Sequence, residues 1–232
     1  SIISPFTLNA AYLSSTIIAY AMNSKGIRTK WVDAREMMVT NNSYLKAEPD
    51  MNAIAEKVPD VVSAAYEGMD AVITQGFVGV TECGEPTVLG RGGSDYSASL
   101  IGMALDADRI EIWTDVDGFM TADPRIIKDA YVIDHLSFIE SMELCNFGAK
   151  VIYPPTIYPV FHKNIPIRIR NTFNSETNGT WITDDQRQNT LPLKGVTSIS
   201  DTTLITVKGI DSVIKTDINT RLLNSLAKNG VS

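Results

Sequence analysis

Apolar and polar positions along the 232 residues change period repeatedly, and each change predicts an element. Leu13, Ile17, Ala21 and Met22 share one helical face over residues 13–25, and Gly26 is placed to stop that helix as a C-cap. Ile27 to Val32 reads as a short strand, and residues 50–68 as a second helix ending at Gly68. The continuous apolar run from Ala71 to Thr74 predicts a buried strand, broken by Gln75-Gly76. Thr81 to Pro86 predicts a hairpin turn, with a short strand at Thr87 to Leu89. A glycine-rich loop, Gly90 to Gly93, precedes a helix that Ser94 or Asp95 can cap, with Ala98, Ile101, Ala104 and Leu105 on its apolar face. Ile110 to Thr114 is the next strand, and Asp117-Gly118 a turn. A helix over 137–147 aligns Phe138, Met142 and Cys145. Ile165, Ile167 and Ile169 alternate with Arg168 and Arg170, which predicts a strand with its arginines on the wet face of a sheet edge.

Helices alternating with buried strands predict an α/β fold: a mostly parallel sheet flanked by helices. Residues 174–192 are polar and carry Asn178-Gly179, so they read as a linker. From Gly195 a new pattern begins: a strand over 203–208, Gly209, then a helix near 218–228, half of a small α/β unit. The expected division is 1–174, a linker over 175–193, and the start of a second domain over 194–232. The first residues, Ser1 to Pro5, lack Met and are expected to be a cut end.

Composition narrows the function. The net charge of -7 argues against a nucleic-acid partner, although a locally positive cleft can still take small anions. Cys83 and Cys145 have no metal-ligand spacing and suggest no disulfide framework, which fits a reducing, cytoplasmic setting. No apolar run has the length of a membrane span, and no membrane partner is expected. His135 and His162 stand alone in sequence, and Met22, Met37, Met38, Met51 and Met103 read as core filler.

Four motifs carry chemistry. Gly90-Arg91-Gly92-Gly93-Ser94-Asp95 lies between a strand and a helix, where glycines admit a ligand to the backbone and helix N–H groups favour an anion. Arg91 can grip a carboxylate with two parallel hydrogen bonds; the plain alternative is a tight turn with a solvated Arg. Thr114 and Asp115, at the carboxyl end of a strand, can bond a nucleoside, and Asp115 or Asp117 can alternatively hold Mg²⁺; the alternative is an ordinary Asp-Gly turn. Arg125, after Asp123-Pro124, is a phosphate clamp or a solvated side chain. Lys150, in Phe147-Gly148-Ala149-Lys150-Val151, can neutralise phosphates or merely pair with a helix dipole.

In order and spacing these motifs resemble those of the aspartokinases, within the amino-acid kinase family. Trp31 to Arg35, Ile73 to Gly79 and Ile165 to Phe173 resemble the family's flanking strands, and Lys194 to Ile199 resembles the opening of its ACT-type regulatory domain. The resemblance implies ATP-dependent phosphorylation of the β-carboxylate of L-aspartate, the first step toward lysine, threonine and methionine, with Mg²⁺ as cofactor. It implies that Arg91 holds the substrate α-carboxylate, that Gly92, Gly93 and Ser94 line the same pocket, and that Asp95 orients the reacting groups. Thr114, Asp115, Met120, Arg125, Lys150 and Val151 would contact ATP, with Arg125 and Lys150 at its phosphates and Val151 near adenine. It also implies a homo-oligomer formed through regulatory domains, feedback by lysine or threonine, and a possible fused homoserine dehydrogenase.

The chain departs from the family pattern in four places. The family's Lys-Phe-Gly-Gly-Thr-Ser opening and its Gly-Glu pair are absent, Met120 stands where many members have Tyr, and Tyr153 where many have His. These 232 residues alone are therefore expected to be inactive. Two other readings stay open: another amino-acid kinase, acting on glutamate, carbamate or a nucleotide, and a non-catalytic amino-acid sensor.

Overall fold

The computed structural model describes residues 5–184, 193–200, 202–203 and 215–230. They divide into two compact units, Ser1–Ser198 and Ile199–Ser232. The second unit contains helix α6 (Lys215–Lys228), longer than the expected 218–228. Beyond residue 203, the strand expected over 203–208, with Gly209, lies outside the described residues.

In the first unit, α1 (Pro5–Ser24) starts well before residue 13 and is turned away from its expected face. Ala11, Ser15 and Ala19 are buried, whereas Leu13 and Ile17 are exposed. The small side chains let α1 approach strand β1 (Thr29–Trp31), where the Trp31 indole N–H donates to the Ser15 hydroxyl at 2.9 Å. Apolar residues surround this helix, so periodicity alone could not choose its inner face.

Strand β2 (Val39–Thr40) precedes α2 (Met51–Tyr66). Asp50 caps α2 by accepting from the N–H groups of Asn52 and Ala53, and Ile54 and Val58 pack inward. Strand β3 (Ala71–Ile73) runs parallel to β1, and β4 (Val78–Thr81) runs parallel to β2 and antiparallel to β5 (Pro86–Val88). Helix α3 (Gly93–Ala104) follows the glycine-rich loop. Its N-cap is Gly92, not Ser94 or Asp95, because the helix starts earlier than its polar residues suggest. It buries Ser97, Leu100 and Met103, while Leu105, expected on the inner face, is 37% exposed.

The rest of the unit is built on β6 (Ile110–Thr114), β7 (His135–Ser137), α4 (Phe138–Asn146), α5 (Ile157–Phe161), β8 (Ile167–Asn171) and β9 (Thr180–Thr183). A capping box between Ser137 and Glu140 starts α4. The strand order is β6-β8-β9-β7.

Three corrections follow. Among the described residues the strands form three small sheets rather than one; four of their six pairings are parallel, as expected, while β4–β5 and β8–β9 are antiparallel. Thr180–Thr183, expected in the linker, is a strand between β8 and β7; its pairing partners lie far away in sequence. Arg168 and Arg170 are not on a sheet edge: β8 is internal, and their guanidinium groups stack 4.9 Å and 4.4 Å from the ring centroids of Trp181 and Trp113.

Two apolar clusters hold the unit together. One joins Ile110, Ile112, Phe119, Phe138, Ile157, Val160, Ile167, Ile169 and Ile182; the other joins Met37, Met38, Ile54, Val58, Val78, Leu89 and Leu100. Helix α3 belongs to both, since Leu100 packs into the second and Ala98 against the first. The glycine-rich loop therefore rests on a helix fixed from two sides. Full burial of a leucine such as Leu100 contributes about 1.5–3 kcal/mol.

Candidate active site

The loop Gly90 to Ser94 forms the floor of a cleft of about 370 Å³, lined by Phe77, Val88, Gly90, Gly92, Gly93 and Ser94. Gly92 has a left-handed backbone, φ 71°, and the side chain of Tyr153 fills the space where a β-carbon would stand. Only glycine meets both demands at this position. Ser97 ties the loop to its neighbour: its hydroxyl donates to the Gly93 carbonyl and accepts the Phe77 N–H, each at 2.9 Å. Phe77 has φ 54°, an uncommon conformation for a bulky residue.

Arg91, between two lining glycines, is exposed and has no ion-pair partner among the described residues. Asp95 lies in the first turn of α3. Burial pushes its carboxyl above the usual carboxylate range, and a hydrogen bond from the Tyr153 backbone N–H only partly offsets this.

Tyr153 thus touches both Gly92 and Asp95, and its ring meets Tyr96 edge-on at 6.3 Å. It closes the segment that carries Lys150 and Val151. Burial pushes the Cys145 thiol up to about 11, and the backbone N–H groups of Ile152 and Val151 only partly offset this. Val151 is half-buried against the first apolar cluster. Lys150 is exposed and forms no ion pair among the described residues.

Thr114 and Asp115 leave the carboxyl end of β6, and the Thr114 hydroxyl donates to Asp115 at 3.2 Å. Asp117 accepts from the side-chain amides of Asn171 and Asn174. Met120 bridges to Val132. Arg125 pairs with Asp123 at 2.7 Å in an exposed turn, and this guanidinium holds the Asp123 carboxyl down at about 2. The Lys194 ammonium pairs with Glu140, the Val196 N–H donates to the Thr121 carbonyl, and the Thr197 hydroxyl donates to the Phe147 carbonyl. Residues 194–197 therefore touch both segments expected to face ATP.

Gly92, Gly93 and Ser94 are brought to one cleft, Asp95 stands beside it, and Tyr153 joins it to the Lys150 segment. Arg125 is engaged locally by Asp123. Sequence reasoning gave Phe77, Asn171 and Tyr153 no role; the signal for Phe77 was its place after Gly76, directly past β3, which was expected to be buried but is only partly so.

Among the described residues, no helix is long and apolar enough to cross a membrane, and no group of three His, Cys, Asp or Glu is placed to hold a metal.

Residues 7–171 match the model of the amino acid kinase family. The chain is 34% identical over 221 residues to lysine-sensitive aspartokinase 3 of Escherichia coli, covering 95% of this chain and 49% of that protein. It is 37% identical over 202 residues to a bifunctional aspartokinase/homoserine dehydrogenase 2 of Arabidopsis thaliana, covering 84% of this chain and 22% of that one. The chain thus spans about half or less of the length of these relatives. The fold superposes with a TM-score of 0.73 on the crystal structure of E. coli aspartokinase III in complex with aspartate and ADP, at 35% identity, over 77% of this chain and 40% of that one. On the family match and its extent, this chain belongs to the amino acid kinase family.

Proposed function

We propose that this chain is the kinase portion of an aspartokinase that transfers the γ-phosphoryl group of ATP to the β-carboxylate of L-aspartate. A carboxylate oxygen attacks the γ-phosphorus, the bond to the β-phosphate oxygen breaks, and 4-phospho-L-aspartate and ADP result. Such a transfer is catalysed by positioning and charge neutralisation and needs no protein nucleophile.

The observation that carries this reading is the cleft over Gly90 to Ser94, joined by Tyr153 to the segment of a lysine that has no ion pair among the described residues. In this reading Arg91 takes the α-carboxylate in a bidentate grip, and Gly92, Gly93 and Ser94 line the pocket. Asp95 orients the acceptor. Thr114 and Asp115 hold the nucleoside and Val151 packs near adenine. Met120 stands at the ATP side, and Lys150 and Arg125 meet the phosphates. Arg125 exchanges its bond to Asp123 for a phosphate on binding.

Mg²⁺ supplies charge neutralisation at the phosphates. It needs only one or two protein carboxylates, and Asp115 is the exposed one at this edge; the Oδ1 of Asp117 is already engaged by two amides. Residues 194–232 are read as the opening of an ACT-type regulatory domain, through which a homo-oligomer forms. The relative named lysine-sensitive supports feedback by an amino acid.

An ADP-release assay on the full-length protein tests the reading. Release with L-aspartate is expected; release with L-glutamate alone contradicts it.

A further inference from the structure

Asn171 ends β8 beside Thr114, its register partner on β6, and is only 9% exposed. Its side-chain N–H donates to Asp117 Oδ1 at 2.8 Å, and its own Oδ1 accepts the Phe173 N–H at 2.9 Å. Asn174 donates to the same Asp117 oxygen at 3.1 Å. Two residues after Asp117, the Phe119 N–H donates to the fully buried Thr180 hydroxyl at 2.8 Å. Gly118 passes so close to that hydroxyl, with φ 142°, that no β-carbon fits. The loop leaving β6 at Thr114 is therefore pinned at Asp117 by β8 and at Phe119 by β9. Asp115, just before these pins, is exposed and, among the described residues, takes one hydrogen bond, from Thr114.

A loop that must order itself on binding loses conformational entropy at every residue it fixes, whereas a loop held in advance does not. We infer that Asn171 is a positioning residue for the nucleotide: through Asp117, its amide presets the Thr114–Asp115 edge. This inference rests on the kinase reading of that edge.

The polarity of the pair is the testable feature, because an amide donor faces a carboxylate acceptor. Asn171→Asp keeps the shape and still accepts the Phe173 N–H, yet sets two carboxylates against each other. The double variant Asn171→Asp with Asp117→Asn rebuilds the pair with donor and acceptor exchanged.

The experiment is calorimetric titration of ADP into the full-length protein, with L-aspartate binding and thermal unfolding measured on the same samples. Asn171→Asp is expected to weaken ADP binding by about tenfold or more and to leave aspartate binding unchanged, while the double variant recovers most of the loss. ADP affinity unchanged in a folded Asn171→Asp protein overturns the inference. So does a parallel loss of ADP and aspartate affinity that the double variant does not reverse. If Asn171→Asp does not fold, Asn171→Ala removes the donor without adding charge; a loss confined to ADP supports the inference and unchanged affinity overturns it. An unaltered protein that binds aspartate but not ADP overturns the kinase reading and this inference together.

Discussion

The side chain of Tyr153 lies against the α-carbon of Gly92: a β-carbon built there would come 2.5 Å from the Tyr153 Cγ. This contact joins the glycine-rich loop to the segment bearing Lys150. It requires Gly92 to lack a side chain while its backbone stays left-handed.

Gly92→Ala is therefore expected to destabilise the fold by at least about 1–3 kcal/mol, the usual cost of a non-glycine residue held in such a conformation. Kinase activity should fall further than stability, because the loop must shift away from Tyr153 to admit the methyl group. Denaturant unfolding with activity at matched temperatures checks this. A variant of native stability and activity would remove Tyr153 from the account.

Asp95 gives a prediction about pH. Burial raises its folded-state pKa, so the folded protein holds that proton more tightly than the unfolded chain. Stability from this group is present below the unfolded pKa and is lost as pH rises through the folded pKa. Asp95→Asn removes this loss, so the variant-minus-native difference in Tm should become more positive as pH rises from about 3 to about 6. The placement of Asp95 in the first turn of α3 favours the charge and reduces the gain. Catalysis should be lost throughout. A Tm difference that becomes more negative over this range would contradict the burial argument.

Leu100→Ala should destabilise the protein by about 2–5 kcal/mol, as large-to-small changes at well-packed core sites do. Leu100 is fully buried, and its helix serves both clusters. Chemical denaturation measures the effect; a loss below about 1 kcal/mol would mean that the clusters relax around the cavity.

Lys150→Ala should weaken ATP binding by about tenfold or more while leaving the thermal midpoint near native, since Lys150 is exposed and has no ion pair among the described residues. Calorimetry with ATP reads this directly. Unchanged affinity would remove Lys150 from the phosphate site.

The parts legible in sequence were those whose chemistry is local. The helix expected over 50–68 is α2, the alternation of β8 shows in five residues, and the strand Ile110–Thr114 was placed to the residue. The misread parts depend on partners distant in the chain. The Thr180 to Thr183 run sits in a polar stretch and becomes a strand because β8 and β7 supply its hydrogen bonds. Arg168 and Arg170 look solvated until Trp181 and Trp113 are brought over them. The inner face of α1 was hidden because its buried residues are small and its large ones face outward. At the site, the glycine-rich loop was recognisable from its composition, whereas Tyr153 and Asn171 act through contacts 61 and 54 residues away, with Gly92 and Asp117 respectively.

The central claim is that Arg91, Asp115 and Lys150 surround one amino acid and one nucleotide. A crystal structure of the full-length protein with L-aspartate and a non-hydrolysable ATP analogue tests it most directly. The account predicts the aspartate α-carboxylate on the Arg91 guanidinium, the analogue's phosphates on Lys150, and its nucleoside at Thr114 and Asp115. Ligands seated in separate cavities, with Arg91 and Lys150 each facing solvent, would contradict it.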